Sequence, residues 1–159
     1  MLFDFISQDK NYIIEIQRIP SQVFSFSSDN KMYKFIIKSN LGGILKEFNV
    51  SYSDLYVLLD NLCFYIEGGN DIAVNLTSTT DTFGSSIFVR LYTYEYYLEG
   101  YVQDSDILNS KYRGKSVIVK DKLCFSNLVD DGIIPIVEFD ITDNILDFID
   151  LLIRVLEGL

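Results

Sequence analysis

The sequence predicts an α+β fold: antiparallel β-sheets in a sandwich-like meander, with two amphipathic helices, one central and one C-terminal. Three observations carry this reading. Short alternating apolar runs separated by turn residues fill most of the chain. Two longer segments repeat their apolar residues with helical periodicity. The spacing between most successive strands is too short for a parallel crossover, which takes about a dozen residues or more. At 159 residues, 48% hydrophobic and 14% aromatic, with nine glycines and two prolines, the chain has enough apolar surface for one core. It reads as a single domain over residues 1–159, with no repeat, low-complexity tract or linker.

In the first 50 residues, strands are expected at Phe3–Phe5, Tyr12–Ile16, Val23–Phe26, Lys31–Lys38 and Ile44–Phe48. Asp9-Lys-Asn11, Pro20, Asp29-Asn30 and Gly42-Gly43 separate them, residues that favour turns through positive φ or side-chain bonds to the backbone. A helix follows, capped by Ser51 or Ser53 and stopped at Gly68-Gly69. Its core stripe is Leu55, Leu58, Leu59, Leu62 and Ile66. Val57 and Phe64 lie off that stripe, seven residues apart; they either dock a loop of the same chain, the simpler expectation, or mark a contact patch.

Strands resume at Ile72–Leu76, Ile87–Tyr92, Tyr94–Gln103, Ser116–Val119, Leu123–Phe125 and Ile134–Phe139, with polar loops at Thr77–Ser86 and Asp104–Lys115. Pro135 lacks a backbone donor, which places its strand at an edge or a bulge. The last helix is expected from Thr142 or Asp143 to about Glu157. Asp143, Asp147, Asp150, Arg154 and Glu157 share one side of it, opposite Ile145, Phe148, Ile149, Leu152 and Leu156.

Composition closes off much of enzymology. Without histidine there is no Ser-His-Asp or Cys-His catalysis and no HExxH zinc site. Cys63 and Cys124 form neither a disulfide scaffold nor a zinc ligand set and are expected as free, packed thiols. The glycine doublets lack the residues of a phosphate loop, and the acidic groupings Asp104/Asp106, Asp130/Asp131 and Asp140/Asp143 lack EF-hand spacing, so no cofactor or metal is expected.

The formal charge of −10 argues against nucleic acid and for a basic partner. It is uneven: residues 51–98 carry −5 and residues 130–159 carry −7, whereas 1–50 and 99–129 each carry +1. The N-terminus does not read as a signal peptide, and Asp147, Asp150 and Arg154 interrupt the nearest apolar run, so a cytoplasmic protein with no membrane segment is expected.

Glu95 and Glu99 form the best carboxylate pair, but four residues apart on one strand face they are too distant for a retaining glycosidase. Their segment is more telling as a surface. Alternation puts Glu95, Tyr97, Glu99, Tyr101 and Gln103 on one face, mixing rings with carboxylates. Tyrosines supply contact area at low entropic cost and carboxylates complement a basic surface, so this face is one candidate for partner binding. The acidic helix side, with Asp143, Asp147 and Asp150, is the other; the strand face is expected to supply the anchors and the helix to guide encounter electrostatically.

The helix signature Ser51-Tyr-Ser-Asp-Leu55, Leu58-Leu59 and Leu62 ending at Gly68-Gly69 forms one part of a broader pattern. With it go the strands Ile72–Leu76 and Ile87–Leu91, the run Leu98-Glu-Gly-Tyr-Val102, and Val137-Glu-Phe139 before the closing helix. In this order of elements, over about residues 30–159, the chain resembles the WapI-type bacterial immunity proteins, which accompany contact-dependent toxins. The resemblance implies a cytosolic, non-catalytic inhibitor that neutralises a basic toxin by occlusion. A carbohydrate- or small-ligand-binding β-domain using surface tyrosines is the alternative, and a carboxylate hydrolase comes third.

Overall fold

The computed structural model describes residues 2–19, 31–76, 86–97, 117–129 and 131–158. Four strands, β1 (Leu2–Ile6), β2 (Tyr12–Ile19), β3 (Met32–Ser39) and β4 (Ile44–Ser51), form an antiparallel sheet in sequence order. Helix α1 (Tyr52–Ile66) follows. A second antiparallel sheet, β5 (Ile72–Leu76), β6 (Ser86–Tyr97), β7 (Val117–Val129) and β8 (Gly132–Asp140), is again in sequence order and is followed by α2 (Ile145–Glu157). The α+β class, with one central and one C-terminal helix, is as the sequence predicts. The topology, four strands and a helix, occurs twice although the sequence shows no repeat. The expected strand at Val23–Phe26, the loops at 77–85 and 104–115, and Asp104, Asp106 and Asp130 lie outside the described residues.

Two boundaries differ from expectation. The sequence divides Ile87–Tyr92 from Tyr94 onward and Ser116–Val119 from Leu123–Phe125, but β6 and β7 are each continuous. They pair from Ser86↔Leu128 to Tyr97↔Val117, so the ladder runs through Thr93 and through Lys120-Asp-Lys122. Alternation makes this tolerable: Lys120 and Lys122 leave the core side and pair with Asp140 (3.1 Å) and Glu138 (3.6 Å) of β8. Pro135 fulfils both of its expectations, because β8 is an edge strand and the register shifts between Phe125 and Ser126, the residue opposite Pro135.

One apolar cluster unites both sheets and both helices. Ile14, Ile16, Phe35 and Ile37 come from the first sheet; Leu91, Leu123 and Phe125 come from the second. Phe5 of β1 lies 5.1 Å from Phe148 of α2 and 6.3 Å from Phe139 of β8, ring centroid to ring centroid. Burying a side chain of this size contributes about 1.5–3 kcal/mol. Cys63 on α1 and Cys124 on β7 are free thiols, the second buried with Sγ 3.4 Å from Ser126 Oγ.

Helix α1 starts where Ser51, not Ser53, accepts the Asp54 N–H at 3.1 Å, and it stops at Gly68, whose φ of +94° suits glycine. Its buried residues are Leu55, Leu58, Leu62 and Tyr65, whereas Ile66, expected in the core, is 43% exposed. The helix ends at Ile66, beyond the point where Tyr65 reaches the second sheet. Helix α2 begins at Ile145, later than the Thr142 or Asp143 expected. Thr142 is occupied elsewhere, its Oγ1 accepting the Asp121 N–H at 2.8 Å, and the Asn144 side chain donates to the Ile6 carbonyl at 2.9 Å. The buried side of α2 is Phe148, Ile149, Leu151, Leu152 and Val155; Ile145 and Leu156 are half-buried at its margins.

Candidate functional site

Two features of the helix layer stand out, the outward side of α1 and a cleft at its C-terminal end. Helical geometry puts Tyr56, Val57, Asp60, Phe64 and Glu67 on the side of α1 opposite Leu55 and Leu62. All five are exposed, and three are large and apolar: Tyr56 at 57%, Val57 at 47% and Phe64 at 57%. Among the described residues, no segment covers Val57 and Phe64; the loops expected at 77–86 and 104–115 lie almost wholly outside those residues. Phe64 is held by the turn beyond it, since a Cβ on Gly69 would fall 2.4 Å from the Phe64 ring. The charged residues on this side, Asp60 and Glu67, are both negative. Between Lys46 and Arg90 the chain has no lysine or arginine, but it has Glu47, Asp54, Asp60, Glu67, Asp71 and Asp81.

The cleft, about 580 Å³, opens between the C-terminal end of α1, the second sheet and the start of α2. Its floor is polar. The Tyr65 hydroxyl donates to Asp121 Oδ1 and lies 2.9 Å from Thr93 Oγ1. Burial pushes the Tyr65 pKa up, and the hydrogen bond to Asp121 raises it further, to about 12, so the hydroxyl remains a donor at neutral pH. Asp71 accepts the Thr93 N–H at 3.1 Å. Its walls are Ile66 and Leu146, both exposed. The floor thus presents a protonated tyrosine hydroxyl, a threonine hydroxyl and the Asp121 carboxylate, with Asp71 beside them. Among the described residues, no group of three or more Cys, Asp or Glu can hold a metal ion.

The predicted site residues fall on separate elements. Glu95 and Tyr97 belong to β6, their backbones opposite Val119 and Val117, while Glu99 and Tyr101 lie outside the described residues. Asp143, Asp147 and Asp150 gather at α2, all exposed. Asp143 gives its N–H to Gln8 Oε1 at 2.9 Å, and Asp150 pairs with Arg154 at 3.1 Å one turn on. Sequence reasoning missed Tyr56 on α1 and the Tyr65, Thr93 and Asp121 floor. The signal was present: Thr93 and Asp121 keep the alternation phase of buried Leu91 and Leu123, but only if β6 and β7 are read as unbroken.

No protein-family model matches this chain, and neither the curated proteins nor the solved structures yield a match. No helix among the described residues is long and apolar enough to cross a membrane.

Proposed function

We propose that the protein is a non-catalytic binding module that captures a basic protein through the outward side of α1. The observation that carries this reading is the cluster of Tyr56, Val57 and Phe64, large apolar side chains that no described residue covers, on a helix whose other side already fills the core. Binding energy concentrates in aromatic and apolar anchors ringed by polar groups, and Asp60 and Glu67 supply acidic neighbours. The acidic side of α2 adds long-range attraction, which speeds encounter more than it tightens the complex. The tyrosine strand with Glu95, Tyr97, Glu99 and Tyr101 has similar chemistry, but α1 has observed exposure in its favour. The specific form of the reading, an immunity protein that occludes a basic toxin, rests on the sequence resemblance alone.

The test is parallel affinity capture from the source cells with the wild-type chain and Val57→Lys. A strongly basic protein should be retained in stoichiometric amount by the wild type and lost from the variant. Retention of the same proteins by both would overturn the assignment of α1.

A further inference from the structure

We infer that the cleft beyond α1 receives one lysine or arginine side chain, its apolar stem between Ile66 and Leu146 and its cationic head at Asp121. Charge favours a cationic occupant. Asp121 has no cationic partner among the described residues. Its sequence neighbours Lys120 and Lys122 are turned by strand alternation to the far side of the sheet, where they pair with Asp140 and Glu138. The other carboxylate near the floor, Asp71, acts on the Tyr65 hydroxyl with the same sign. Among the described residues, the cleft therefore carries negative charge and no positive charge.

The hydrogen bonds of the floor run in one direction. Tyr65 spends its single proton on Asp121, so Thr93 is left to donate its own to the Tyr65 oxygen. The chain of donors runs from Thr93 to Tyr65 to Asp121, and the carboxylate, with lone pairs beyond the one that Tyr65 uses, can accept a further donor from the cleft side. The walls suit an apolar stem. Ile66 and Leu146 are 43% and 64% exposed, an unfavourable arrangement that a methylene stem would cover. A long apolar stem with a cationic end satisfies all three conditions.

Other occupants fit less well. Calcium takes about six to eight oxygen ligands, and two carboxylates and a tyrosine fall well short. A sugar needs an open ring to stack on, but Tyr65 is 9% exposed and turned inward. The inference rests on the protein-binding reading only for the source of the side chain; small amines test the cleft by itself.

The experiment is a methyl NMR titration of the full chain with n-butylammonium and n-butylguanidinium, with n-pentanol as the neutral control. The cations should give saturable shifts at the Ile66, Leu146 and Thr93 methyls. Affinity should fall at least about fivefold for pentanol and for Asp121→Asn. Equal response to pentanol, or no saturable shift with either cation, overturns the inference. If Asp121→Asn does not fold, Leu146→Ser serves instead: it replaces an exposed wall residue and should weaken cation binding, and unchanged binding counts against the inference. Val57→Lys should leave these titrations unaltered, so failure of the cleft and failure of the α1 surface are read separately.

Discussion

Helices α1 and α2 hold equivalent places in the chain, each closing a four-stranded antiparallel meander and each burying one leucine-rich side in the shared core. Their opposite sides have little in common. On α2 that side is Asp147, Asp150, Arg154 and Glu157, with Leu146 at the first turn its one exposed large apolar residue. On α1 it is Tyr56, Val57 and Phe64 around Asp60. Folding requires one apolar side of each helix, and α2 demonstrates that a polar outer side completes this fold without difficulty. The second apolar side of α1 is thus surplus to the core of the described residues, and it is this surplus that the proposed binding role would use.

The comparison breaks first if the inner sides are unequal. Leu62→Ala in α1 and Leu152→Ala in α2 each remove a fully buried side chain and should each cost about 2–5 kcal/mol by urea unfolding. A large cost in one helix only would mean that the two do not share the core. Next in size is Gly69→Ala. The new methyl would meet the Phe64 ring at 2.4 Å and the Phe64 carbonyl at 2.6 Å, for a loss of about 1–3 kcal/mol. In a Phe64→Ala background part of that loss should disappear, which a double-mutant cycle measures.

Tyr65 sharpens the comparison at the end of α1. Tyr65→Phe removes hydrogen bonds to Asp121 and Thr93 and should cost about 1 kcal/mol or somewhat more. Its folded pKa, about 12, lies above the ordinary 10. The stabilisation is therefore complete below pH 10 and lost as pH rises toward 12. Tyr92, raised to about 12 by burial and by its bond to Glu138, acts in the same window. Unfolding measured across pH 9–12 should fall less steeply in Tyr65→Phe than in the wild type. The smallest effect belongs to α2: Asp150→Asn breaks an exposed pair with Arg154 and should change stability by about 0.5 kcal/mol or less.

Much of this fold is legible in the sequence because its periodicities are clean. The leucine stripe of α1, the acidic side of α2 and the edge position of Pro135 follow from spacing and from the missing proline donor. What is not legible depends on tertiary pairing. Lys120-Asp-Lys122 reads as a break in a strand until Asp140 and Glu138 are seen opposite, and Thr142 reads as a helix cap until Asp121 claims its hydroxyl. The cleft was hidden for the same reason: its floor joins residues 65, 93 and 121, which no local spacing relates. The outward apolar residues were half visible, Val57 and Phe64 by their place off the stripe. Whether a loop covers them is a property of the folded chain.

The most direct test of the α1 assignment needs no partner. Urea unfolding of Tyr56→Lys/Val57→Lys should match the wild type within about 0.5 kcal/mol, as expected for surface positions without a packing role. A loss of more than about 2 kcal/mol, in the range of the core substitutions, would place these side chains in the fold and remove the basis for reading α1 as a binding surface.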